Sequence, residues 1–75
     1  MTYELLIHRE ARKELLELPG NVRNRVYREL LELKLDPRPR RVVKLKGREE
    51  LWRLRVGRYR VIYEINDLER VVTIL

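Results

Sequence analysis

The side chains best equipped for chemistry in this chain are three arginines, Arg53, Arg55 and Arg60, with Lys44 and Lys46 shortly before them. A guanidinium fork grips phosphate in a planar, bidentate way, and a lysine ammonium adds a point charge. The spacing indicates that the arginines share one surface. Residues 51–56 alternate strictly, with Arg53 and Arg55 to one side and Trp52, Leu54 and Val56 to the other. Residues 59–65 are aromatic and β-branched, the composition of a strand. Gly57-Arg58 between them fits a two-residue hairpin loop with Gly first, of type II′. That loop sets Val56 opposite Tyr59, Arg55 opposite Arg60, Leu54 opposite Val61, Arg53 opposite Ile62 and Trp52 opposite Tyr63. Trp52, Leu54, Val56, Tyr59, Val61 and Tyr63 then form a core face. Arg53, Arg55, Arg60, Ile62 and Glu64 form the other. Like charges directly across a strand pair are destabilising. Such a face is either the solvated outside of an Arg-rich sheet or an anion site. The cross-strand arginines favour the anion site, with nucleic-acid phosphate as the ligand.

Charge distribution points the same way. The chain has 75 residues and a formal net charge of +6. From Arg38 to Arg60 there are ten basic residues against two acids, and elsewhere eight against ten. A one-sided basic surface steers polyanions. Cysteine is absent and there is a single histidine, His8, so neither disulfides nor a zinc cluster is expected. No apolar run has the length of a membrane span and no signal-peptide core precedes residue 20. No cofactor, no metal and no membrane partner are expected, and the expected location is cytoplasmic. At this length one domain with a small core is expected.

The elements that must position the arginines follow from periodicity. Residues 3–8 read as a first strand, with Tyr3, Leu5 and Ile7 on one face and His8 in a structural role at the junction. Residues 9–18 read as a helix with Ala11, Leu15 and Leu18 on its inner stripe, ended by Pro19-Gly20. Asn21 is the expected N-cap of a second helix carrying Val22, Val26, Leu30 and Leu33, fading near Leu35 and Asp36 before Pro37. Residues 36–41 form an extended basic connector whose arginines are either solvated or in contact with phosphate. Residues 42–47 read as a strand whose Lys44 and Lys46 join the arginine face if it neighbours the hairpin. Residues 47–50 and 66–69 are turns, and residues 70–75 a last strand. The order β-α-α-β-β-β-β predicts an α+β fold, a helical hairpin packed on a twisted, antiparallel-rich sheet.

These pieces resemble the RelE/ParE superfamily of type II toxin–antitoxin toxins, and more closely its RelE branch. The resemblance spans essentially the whole chain. It rests on the opening strand followed by Ala11-Arg12-Lys13-Glu14-Leu15, on Leu18-Pro19 and on Asp36-Pro37. Its most specific part is Lys44-Leu45-Lys46-Gly47 followed by Leu51-Trp52-Arg53-Leu54-Arg55-Val56-Gly57-Arg58-Tyr59-Arg60-Val61-Ile62-Tyr63. The resemblance implies a ribosome-dependent mRNA endoribonuclease (an mRNA interferase) that needs no metal. In that chemistry the ribose 2′-OH attacks the adjacent phosphate and the 5′-oxygen leaves, giving a 2′,3′-cyclic phosphate. The implied partners are a RelB-like antitoxin and the A site of the 70S ribosome with its mRNA. Operator DNA is reached only through the antitoxin.

By position, Arg53, Arg55 and Arg60 match the family's basic strand pair and take the catalytic role. Lys44, Lys46 and the same arginines take RNA phosphate. Two departures qualify this. Some members carry lysines at the positions of Arg53 and Arg55, and an arginine, with a pKa above about 12, does not serve as a base. The three arginines are therefore expected to hold phosphate and stabilise the transition state, with Lys44, Lys46 and Glu64 as candidate bases. Family members also continue past the last strand into a segment bearing a further basic residue and often a tyrosine, so residues 1–75 are expected to bind RNA better than they cut it. Two other readings remain: a ParE-like inhibitor of DNA gyrase, and a non-catalytic nucleic-acid-binding homologue.

Overall fold

The computed structural model describes residues 2–47 and 50–75. The expected turn over residues 47–50 therefore lies partly outside the described residues. The elements are β1 (Glu4–Ile7), α1 (Arg9–Leu16), α2 (Gly20–Glu32), β2 (Val43–Lys44), β3 (Leu51–Val56), β4 (Tyr59–Asn66) and β5 (Val71–Ile74). They form a five-stranded sheet in the order β1-β5-β4-β3-β2. β1 runs parallel to β5, and every other pairing is antiparallel.

The β3–β4 hairpin has the register its turn dictates. Val56 faces Tyr59, Arg55 faces Arg60, and pairing continues to Leu51 opposite Glu64. Gly57 has φ +61°, and Arg58 is not among the positive-φ residues, as a type II′ turn requires. Of the face expected to be buried, Leu54, Val56 and Tyr63 are buried, while Trp52, Tyr59 and Val61 are half-buried. Leu54, Val56 and Tyr63 join Val26 and Leu30 of α2, Leu33, Ile65, Val72 and Ile74 in one core, with Trp52 and Val61 packed against it. α1 contributes only half-buried residues, Ala11 and Leu15, and so lies at the margin of that core.

Both helices are shorter than their periodicity suggests. α1 stops at Leu16 rather than Leu18. The amides of Glu17 and Leu18 donate to the carbonyls of Glu14 and Leu15, at 3.1 and 3.2 Å, so the last turn tightens ahead of Pro19. His8 caps the start of α1, its Nδ1 accepting from the Glu10 amide at 3.2 Å. The second helix begins two residues early, with Pro19 in place of Asn21 as the N-cap and no side-chain cap bond. The Pro19 carbonyl accepts from the Arg23 amide at 2.8 Å. α2 ends at Glu32, and Leu33, Lys34 and Leu35 continue as i→i−3 turns. β2 has two residues rather than six. On one side Val42 donates back to Pro39, and on the other residues 46 and 47 already turn, with Gly47 at φ +78°.

Tyr63 ties this layer to the connector after α2. It is 0% exposed, and its hydroxyl donates to the buried Pro37 carbonyl at 2.7 Å. Burial pushes its phenol up to about 12, against an ordinary value of 10.0. A phenol that keeps its proton longer when folded supports the fold below pH 10 and loses that contribution as pH rises from 10 towards 12. Denaturant titrations across that window are expected to show falling stability, and Tyr63→Phe to flatten the fall. At neutral pH Tyr63→Phe is expected to cost about 1–2 kcal/mol, because the Pro37 carbonyl loses its donor. Gly57→Ala forces a Cβ into the positive-φ region. It is expected to lower the urea midpoint by an amount equivalent to about 1–2 kcal/mol, with the m-value unchanged.

Candidate nucleic-acid interface

The pairing places Arg53, Arg55 and Arg60 on the side of the sheet away from the helices. Arg55 and Arg60 are exposed and face each other, and Arg53 is half-buried. Among the described residues none of the three makes an ion pair. Aliphatic side chains pad the surface between them. Ile62 lies opposite Arg53 in β4, and Val43 lies opposite it in β2. Leu51, on the same side, is 8% exposed. Glu64 pairs with Leu51 and Thr73, and so sits diagonally from Arg53. Three cations on an apolar bed without fixed counter-charges form a surface suited to a phosphate backbone.

The lysines do not complete it. Lys44 pairs with Trp52, which directs it to the helix side of the sheet, and Val43 takes the place beside Arg53. Lys46 lies in the turn beyond β2. The register of a strand this short decides the matter, and that register is invisible in the alternation of residues 42–47.

Two arginines of the connector have internal partners instead. Arg38 makes a two-point contact with Asp67, at 3.2 and 2.6 Å, and its guanidinium lies 5.4 Å from the centre of the Trp52 ring. The Tyr3 hydroxyl donates to the same carboxylate at 2.6 Å. The Arg38 bonds, and after them the Tyr3 bond, hold the Asp67 carboxyl below its ordinary range, and the Asp67 bond raises the Tyr3 phenol. Arg41 bonds Glu29 of α2 and lies 3.6 Å from Glu32. Residues 36–41 are thus stapled to the β4–β5 turn and to α2. No local signal announces this, since Tyr3 and Asp67 meet only through the pairing of the first and last strands.

On the helix side a groove of about 230 Å³ opens between α1, α2 and the adjoining ends of β4 and β5. Leu15, Leu18, Val61, Ile74 and Leu75 give it an apolar lining, and Glu14 and Arg60 also line it, although the pairing with Arg55 assigns the Arg60 side chain to the outer face. Among the described residues no group of three metal-binding side chains occurs, and no helix is long and apolar enough to cross a membrane.

A family model described as the ParE toxin of the type II toxin–antitoxin system parDE matches residues 5–75. The chain belongs to the RelE/ParE superfamily of type II toxins. A protein named as toxin RelE1 in Methanocaldococcus jannaschii is 34% identical, the match covering 99% of this chain and 86% of that protein. The structure is similar to RelE in an archaeal RelE–RelB complex from Pyrococcus horikoshii OT3, with a TM-score of 0.89 and 39% identity. That match covers 100% of this chain and 91% of the other. It is also similar to an arginine-to-alanine double mutant of E. coli RelE in the free state, with a TM-score of 0.83 and 29% identity over 99% of this chain and 79% of that one. The α+β fold is thus that of RelE toxins, and this chain is a toxin of the type II class.

The staple gives this RelE/ParE toxin an internal reporter, because Trp52 is its single tryptophan. A carboxylate with a lowered pKa supports the folded state above its ordinary range and stops doing so as pH falls through its folded value. Acidification below the ordinary carboxylate range is expected to release Arg38 and shift Trp52 emission. Asp67→Asn is expected to show the shifted emission already at pH 7, with no further step on acidification.

Proposed function

We propose that this toxin is a RelE-type, ribosome-dependent mRNA endonuclease that inhibits translation. The observation that carries the reading is the arginine face: Arg53, Arg55 and Arg60, brought to one surface by the hairpin register and left without acidic partners among the described residues. The relatives named RelE support the branch. In the reaction a ribose 2′-OH attacks the neighbouring phosphorus as its P–O5′ bond breaks. The products are a 2′,3′-cyclic phosphate and a departing 5′-oxygen, which takes a proton from water to become a free 5′-OH. The three guanidinium groups hold the scissile phosphate and neutralise the extra negative charge of the phosphorane. They do not take the 2′-OH proton, because arginine keeps its own. Of the three candidate bases only Glu64 shares this face, and it is the group we assign to accept that proton.

The partners that follow are the A site of the 70S ribosome with its mRNA, and a RelB-like antitoxin. The Pyrococcus horikoshii RelE was solved as a complex with RelB. The apolar groove beside Arg60 offers such a partner an anchoring surface, and an acidic segment reaching the arginines would block RNA. Activity of this kind belongs in the cytoplasm.

The test is primer-extension mapping of mRNA on programmed ribosomes carrying a defined A-site codon. Wild type is expected to bind RNA well and to cut within that codon at a low rate. Arg53→Ala with Arg60→Ala is expected to reduce cutting by at least about a hundredfold, a loss typical of removing transition-state charge stabilisation. Glu64→Gln is expected to lower the rate while leaving ribosome binding intact. A second reading rests on the description of the matching family model as a ParE toxin, which points to DNA gyrase. Inhibition of supercoiling that survives the arginine substitutions, with ribosomes unaffected, would select it.

A further inference from the structure

The two edges of the sheet are guarded unequally. At one edge β2 has two paired residues, and the chain reaches it past Pro37 and Pro39. Short edge strands and nearby prolines discourage further pairing. At the other edge β1 carries Leu5, Leu6 and Ile7 in a row, with neither lysine nor proline to guard it. Among the described residues β1 pairs with β5 alone. The amides of Glu4 and His8 donate towards β5, to the carbonyls of Arg70 and Ile74 at 2.8 and 2.7 Å. Strand amides alternate in direction, so those of Leu5 and Ile7 point out from the edge of the sheet. The Tyr3 amide points the same way but has a partner, the Lys34 carbonyl at 2.8 Å. The open stretch thus runs from Glu4 to His8, and α1 then turns back over its own core.

We propose that this chain pairs with a second copy of itself, β1 against β1, in a two-fold antiparallel register centred on Leu6. The stretch complements itself when reversed. Leu5 exchanges two hydrogen bonds with Ile7 of the second copy, and Ile7 does the same with its Leu5. Leu6, exposed on the outer face, meets the other Leu6 across the axis. Glu4 stands opposite His8 of the second copy, once at each end. The His8 Nδ1 accepts from the Glu10 amide, so the ring proton lies on Nε2 and can be donated to that carboxylate. Glu4 makes no ion pair among the described residues. Each copy carries a net charge of +6, but β4 and β3, with the three arginines, lie two and three strands in from this edge. A five-residue ladder spans about 17 Å. It buries much less than a standard interface of about 1,600 Å², so the pairing is weak and depends on concentration. The two-fold axis runs through the sheet, which leaves both arginine faces on the same side of one continuous sheet.

The experiment is a thiol trap, since the chain has no cysteine of its own. In this register residue 6 faces itself in a non-hydrogen-bonded pair, with Cα atoms about 4.5 Å apart, within the range that a disulfide spans. Leu6→Cys is compared with Val43→Cys, a control on the opposite edge of the sheet with matching exposure, 48% against 46%. Each variant is incubated with oxidised glutathione and followed on non-reducing gels. Leu6→Cys is expected to form the linked dimer at least about tenfold faster, because pairing holds the two thiols together. Sedimentation velocity of wild type from about 10 μM to about 1 mM is expected to show growth towards a dimer, the range of a weak interface. Leu6→Lys sets like charges face to face across the axis and is expected to stay monomeric, with an unchanged circular dichroism spectrum as the check on its fold. Equal linking rates for the two cysteine variants would overturn the proposal. So would a Leu6→Lys chain that dimerises as wild type does. A wild-type chain that stays monomeric throughout would overturn it too, and would leave the β1 edge to a strand of some other protein.

Discussion

The structure depends on one two-residue turn. With Gly57 at a positive φ, the chain reverses so that Val56 meets Tyr59 and every later rung follows. Strand side chains alternate with period two, so a slip of one residue would send Trp52, Leu54 and Val56 to solvent and turn Arg53 and Arg55 towards α2. The buried partners make that slip prohibitive. Leu54 and Tyr63 are each fully buried, and the core continues through them to Val72 and to Leu30 of α2. A backbone conformation open mainly to glycine thereby determines both which residues hold the fold together and which cations share a surface.

The two faces of the sheet divide the work between stability and function. The helix side carries the apolar burial, and the outer side carries arginines set rung against rung. Their mutual repulsion is a cost that the core opposite must offset. Ile62, Val43 and Leu51 lessen the cost by giving the long side chains an apolar surface to lie on. The acids that could have quenched other cations are spent elsewhere, Asp67 on Arg38 and Glu29 on Arg41. Of the connector's three arginines only Arg40 is left without an ion pair among the described residues, whereas the outer hairpin face keeps all three of its own.

What could be read in advance follows from how local each cause is. The hairpin register, the core face and the arginine side were legible because a turn type and a period of two determine them within thirteen residues. The helix ends are less legible, because Pro19 acts on the residue before it, tightening the close of α1, and itself caps α2 in place of the better-suited Asn21. The side taken by Lys44 was not legible, because β2 has only two paired residues and alternation over so short a strand has no anchor. The Tyr3–Asp67–Arg38–Trp52 staple was beyond local reading altogether, since its members come from four separate parts of the chain.

The parallel pairing of β1 with β5 has a consequence for the order of events during folding. Glu4 pairs with Val71 and Ile7 with Ile74, so β1 waits on a strand far along the chain. The β3–β4 hairpin can form early from neighbouring residues, but Leu5 and Ile7 stay uncovered until β5 docks beside β1. Closing so long a loop is slow compared with zipping a hairpin. A newly made chain thus passes through an interval in which its cationic hairpin is formed while its sheet is still open along one edge. During that interval a binding partner meets an incomplete sheet, before the finished domain exists.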